Sequence, residues 1–154
     1  MSYETPTGSM EKTSGFLVFR TARGMKKLLD SRLSEFNITS SQASVLNTLN
    51  SQNGLSLSDV GKRVHLDKPA MTGLADRMEK DDLVKRKRIS SDRRVIQLVL
   101  TKKGRDLYNK IETTILDVDQ FLVSDFSSDE IKTLHKMLQR IWPQANNSTF
   151  IKVQ

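Results

Sequence analysis

Six cations crowd ten consecutive positions of this sequence: Lys85, Arg86, Lys87 and Arg88, then, beyond Ile89-Ser90-Ser91-Asp92, Arg93 and Arg94. Ammonium and guanidinium groups at this density attract a polyanion, because neutralising nucleic-acid phosphates releases the counterions condensed on them. The excess is local. From Leu55 to Arg105 the chain carries 14 Lys+Arg against 7 Asp+Glu, while the remaining residues carry 11 of each, so the whole net charge of +7 sits in the middle third. A charge run taken alone is as often a plain solvated face, so its neighbours decide what it means.

Other chemistry is poorly supplied. The absence of cysteine removes a thiolate nucleophile, a disulfide framework and a redox sensor, and two histidines, His65 and His135, are too few for a zinc site. No nucleophile with its base, no phosphate-cradling glycine loop and no paired carboxylates in a cleft can be picked out. Asp81-Asp82 and Asp129-Glu130 read as a helix end and a helix start, and His65 as a polar turn residue or phosphate contact. A non-enzyme without metal or cofactor is expected. With no run of about 18 apolar residues and a polar start from Met1 to Ser14, neither a membrane span nor a signal peptide is expected, which places the chain in the cytoplasm with the nucleoid.

The cations need a scaffold, and the surrounding periodicity supplies one. Phe16 to Phe36 reads as a long helix, with Val18, Ala22, Met25, Leu29 and Leu33 at three- and four-residue steps, ended by Asn37. Thr39 with Gln42 is a capping box opening a second helix that Asn53-Gly54 closes, and Ser56 with Asp59 opens a short third. After the turn His65-Leu66-Asp67, a fourth helix runs from about Lys68 to Lys80, with Pro69 tolerated in its first turn. Alternation then predicts strands at Val84 to Ile89 and Val95 to Leu100, a basic hairpin. Thr101 caps a long fifth helix, Ser127 with Glu130 caps a sixth, and Trp142-Pro143 is expected to stop it. The fold class is mainly α with a small β-hairpin wing: a winged helix-turn-helix plus a helical dimerisation region.

On the fourth helix, Met71, Leu74, Ala75 and Met78 form the core face, which turns Pro69, Thr72, Gly73, Asp76, Arg77 and Lys80 outward. That outer face is small and polar near its start, so the helix can approach base edges, with Lys68, Thr72 and Arg77 as hydrogen-bond donors. The bland alternative is an ordinary surface helix in which Gly73 costs about 1 kcal/mol without return.

The run Asp92-Arg93-Arg94 through Leu100-Thr101-Lys102-Lys103-Gly104 resembles the wing signature of the multiple antibiotic resistance regulator (MarR) family. Asp67-Lys68, Asp76-Arg77-Met78-Glu79 and Leu83-Val84-Lys85-Arg86 extend the likeness. The resemblance implies a homodimeric transcription repressor that reads a pseudo-palindromic operator in double-stranded DNA, modulated by a small phenolic or carboxylate ligand. It implies that Arg94 enters the minor groove with Asp92 orienting it. The DNA contacts expected are Lys68, Pro69, Thr72, Gly73, Arg77, Lys85, Lys87, Arg88, Asp92, Arg93 and Arg94, and Arg20 with Arg23 are candidates for a ligand carboxylate. Residues 1–14 would then be a flexible segment, 15–37 and 105–142 the dimerisation region, 38–104 the DNA-binding domain and 143–154 a loosely held end. Two departures stand out: Asp82 replaces a usual glycine, a change a left-handed turn tolerates, and Pro69, Ala70 and Gly73 replace larger polar residues. The rival reading is a winged module that binds protein or structured RNA.

Overall fold

Thr13, Thr39, Ser56, Asp67 and Ser127 each end an extended stretch, and each side chain accepts the backbone N–H three residues on. Each such cap satisfies one orphan donor, at about 1 kcal/mol, and starts a helix. The computed structural model describes residues 8–88 and 96–146. Helix α1 is Ser14–Leu33, α2 is Ser40–Ser51, α3 is Leu57–Val64, α4 is Lys68–Lys80, α5 is Lys102–Leu122 and α6 is Ser128–Ala145. The strands are β1, Leu55–Ser56, β2, Val84–Arg88, and β3, Ile96–Leu100.

Of the capping arrangements read from the sequence, Thr39 with Gln42 and Ser127 with Glu130 form complete boxes, whereas at Ser56 the Asp59 carboxylate takes the Ser56 hydroxyl instead of its backbone N–H. Among the described residues, three besides glycine take the left-handed conformation, Asn37, His65 and Asp82. Asn37 ends the 3-10 turn after α1, His65 makes the turn between α3 and α4, and Asp82 carries the chain from α4 into β2. A short polar side chain is the best substitute for glycine at such a site.

Three details differ from the expected layout. The hairpin is part of a three-stranded antiparallel sheet in the order β1-β3-β2, with Leu55 opposite Leu98 and Val84 opposite Leu100. Asn53 and Gly54 seat the added strand, since the Asn53 amide oxygen accepts the Leu100 N–H at 2.9 Å and the Gly54 N–H reaches the Leu98 carbonyl at 3.1 Å. Second, a 3-10 turn at Met10–Lys12 precedes α1, which begins at Ser14. Third, α6 passes through Pro143 to Ala145. The missing Pro143 N–H costs the single i→i−4 bond to the Gln139 carbonyl, and the Asn146 N–H still closes the last turn on the Trp142 carbonyl at 3.0 Å.

Packing divides the chain between Val118 and Asp119. In the first unit, Leu33, Val45, Leu46, Leu49, Val60, Met71, Met78, Leu98 and Ile111 are fully buried and hold α1 to α5 and the sheet on one core. Each contributes about 1.5 to 3 kcal/mol. Tyr108 of α5 adds a polar link, its hydroxyl donating to Asn47 Oδ1 of α2 at 2.8 Å. Near the base of the wing the backbones come closer still. A Cβ on Gly104 would lie 2.0 Å from the Leu83 carbonyl oxygen, so only glycine fits. In the second unit, α6 buries none of its residues and leaves Met137, Leu138, Ile141 and Trp142 exposed.

Candidate nucleic-acid interface

Core packing fixes which side of α4 faces out. With Met71, Leu74, Ala75 and Met78 buried, Lys68, Pro69, Asp76, Arg77 and Lys80 are exposed and Thr72 and Gly73 half-buried. A Cβ on Gly73 would meet only the Arg77 guanidinium, at an ordinary 3.6 Å. Packing therefore does not require this glycine, and its effect is to keep the outward face low. Thr72 differs from expectation in one respect: its hydroxyl proton goes to the Lys68 carbonyl, 2.8 Å away. It offers a partner a methyl group and acceptor lone pairs rather than a donor.

The wing's cations are not equivalent. Lys85, Lys87 and Arg88 are exposed and have no ion-pair partner among the described residues. Arg86 turns back onto α4. Its guanidinium donates to Glu79 Oε2 at 2.6 Å and to Asp76 Oδ1 at 2.7 Å, while its backbone N–H donates to Glu79 Oε1 at 3.1 Å. Burial works to lower the Arg86 pKa, but the hydrogen bonds it donates to Asp76 and Glu79 outweigh it and raise it. This clamp fixes the wing to the helix and neutralises two carboxylates that would repel phosphate. Nothing in a run of four cations marks which one pairs; the signal is the spacing across the left-handed turn at Asp82. Asp92, Arg93 and Arg94 lie outside the described residues.

Arg20 and Arg23 lie on exposed turns of α1, and the Arg23 guanidinium stacks 5.7 Å from the Phe19 ring centroid. The groove nearest α1 in this unit, about 550 Å³, is lined instead by Lys26, Thr39, Ser41, Gln42, Leu74, Arg77, Lys80 and Asp81. Lys26 is anchored there by Asp30 and Ser40, and the Asp30 carboxylate also accepts the Ser40 N–H at 2.7 Å. Burial pushes the Asp30 pKa up, yet the hydrogen bonds from Lys26 and Ser40 win and hold it below the ordinary carboxylate value. Among the described residues no cluster of His, Asp or Glu could hold a metal, and no helix is long and apolar enough to cross a membrane.

A short helix, a left-handed turn at His65, an outward helix and a cationic hairpin make a winged helix-turn-helix, and residues 38–96 match the MarR family model. The regulator SarZ of Staphylococcus saprophyticus is 30% identical over 136 residues, 88% of this chain and 92% of that protein. The chain belongs to the MarR family. Another relative, the homoprotocatechuate degradative operon repressor of Escherichia coli, is 28% identical over 111 residues, 72% of this chain and 75% of that protein. The crystal structure of the S. aureus MepR–DNA complex superposes with a TM-score of 0.80 at 26% identity, covering 86% of this chain and 98% of the MepR chain. MarR proteins are DNA-binding transcription regulators.

Proposed function

We propose that this MarR-family regulator acts as a homodimeric repressor, in which two copies of the 38–104 unit read half-sites of a pseudo-palindromic operator. Residues 15–37 and 105–142 form the dimerisation region. The observation that carries the reading is the pairing of a low, uncluttered α4 face with a hairpin whose exposed Lys85, Lys87 and Arg88 have no ion-pair partner among the described residues. In this reading Pro69, Thr72 and Gly73 approach base edges, Lys68, Arg77, Lys85, Lys87, Arg88 and Arg93 hold phosphates, and Arg94, oriented by Asp92, enters the minor groove. Dimerisation is supported by the apolar stripe of α6, where Leu138 and Ile141 leave about two-fifths of their surface exposed in the single chain. Repression is supported by the E. coli relative, named as a repressor of a degradative operon. The charged stretch of α1 bearing Arg20 and Arg23 would meet a small phenolic carboxylate, since guanidinium matches that group.

Electrophoretic mobility shift on the fragment upstream of the chain's own gene, against excess random duplex, tests operator reading. A retarded band that random duplex cannot compete away is expected; no preference over random duplex would instead favour a winged module used on protein or RNA.

A further inference from the structure

We propose that the groove between α1, the start of α2 and α4 is a second DNA-backbone site, taking a phosphodiester on the flank of α4 opposite the wing. It rests on the DNA-binding reading of α4.

The argument is geometric. At about 100° per residue, the side chains of α4 divide into a buried face, a front and two flanks. Asp76 and Glu79 mark the wing flank, because Arg86 of β2 reaches them at 2.7 and 2.6 Å. Leu74, Arg77 and Asp81 mark the other flank, which lines the groove, and Lys80 stands on its front rim beside the direction of Pro69 and Gly73. An α-helix with its side chains is about 10 to 12 Å across and the major groove about 12 Å wide, so a helix seated there has a phosphate ridge on each side. The wing supplies cations to one ridge. The groove supplies them to the other.

Its lining carries Lys26, Arg77 and Lys80 against the single carboxylate of Asp81. Arg77 and Lys80 are exposed with no ion-pair partner among the described residues. Lys26 is held in place by Asp30 and Ser40, which use two of its three donors and leave the third for an oxyanion. The first amide of α2 is already taken, the Ser40 N–H donating to Asp30, so the attraction comes from the side-chain cations rather than from the helix end. The groove is open to water, which weakens capture of a small free anion. A phosphodiester is delivered there by the helix already lying in the major groove.

The test measures affinity of the full chain for random-sequence duplex across a salt series, for wild type, Lys80→Gln, Lys26→Gln and Asp81→Asn, with thermal unfolding to confirm folding. Each lysine variant should bind roughly five- to tenfold more weakly near 0.1 M salt, with the log–log slope flattened by about 0.9. Asp81→Asn should change affinity in the opposite sense, strengthening it about threefold, an effect that a merely structural role for this rim would not produce. Folded lysine variants with unchanged affinity and slope would overturn the proposal while leaving duplex binding intact. So would calorimetric binding of inorganic phosphate to the groove that duplex does not displace. A wild type that binds no duplex would remove the DNA-binding reading itself.

Discussion

Arg86 and Arg94 sit eight positions apart in one cationic run, yet their roles differ. Arg94→Ala should weaken operator binding by about 1 to 3 kcal/mol and lower the salt slope, because a guanidinium in a narrow minor groove is lost together with its released counterion. Arg94→Lys should restore only part of this, since a compact, hydrated ammonium does not reproduce the planar fork. Filter binding to operator and random duplex at several salt concentrations checks both, and unchanged affinity in a folded Arg94→Ala would mean the wing does not touch DNA. Arg86→Ala should act through the helix it clamps. It frees Asp76, already largely exposed, and Glu79 to face phosphate. The expected result is about 1 kcal/mol lost in unfolding, discounted for solvent screening, together with weaker binding to every duplex. Chemical denaturation paired with the same binding series separates the two effects.

The junction of α1 with α2 depends on one carboxylate. Asp30 accepts both Lys26 and the Ser40 N–H, and its folded pKa is depressed, so the stability it lends is complete above the unfolded value, about 3.9. That contribution disappears as pH falls through the lower folded value. Urea midpoints for wild type and Asp30→Asn should therefore differ near neutrality and converge under acid; a gap that persists in acid would contradict the assignment. Much at this scale was legible beforehand, because caps such as Thr39 with Gln42 or Ser127 with Glu130 are local bonds between residues three apart. Strand β1 was not. Two residues carry no periodicity, and what makes Leu55 a strand is its pairing with Leu98, far along the chain. The Arg86 clamp escaped for the same reason, and the groove cations were hidden because Lys26 and Lys80 belong to helices whose mutual placement no periodicity encodes. The outward face of α4 was legible, since four buried residues at helical spacing settle it.

For the molecule as a whole, the apolar surface of α6 is the feature that a lone chain leaves unexplained. Exposed Leu138 and Ile141 should bring two copies together, so sedimentation at micromolar concentration should give a dimer. The double variant Leu138→Glu, Ile141→Glu should be monomeric and bind operator far more weakly, because a single winged unit reads only one half-site. A wild-type monomer at that concentration would refute the proposed assembly. Association then enters the binding isotherm, and apparent affinity depends on protein concentration as well as salt.

The fit of Gly104 against Leu83 has a consequence for how the protein opens. The Leu83 N–H reaches Met78 at the end of α4, its carbonyl receives the Thr101 N–H, and the Thr101 hydroxyl accepts the N–H of Gly104 in the first turn of α5. Where no side chain separates the strands of such a knot, none of these bonds breaks without disturbing the next. In native-state hydrogen exchange, the amides of Leu83, Thr101 and Gly104 should behave as one cooperative unit, sharing a single opening free energy and a single denaturant dependence. The end of the reading helix, the root of the wing and the start of the long helix thus belong to one foldon, and local melting that released the wing would also unlatch α5.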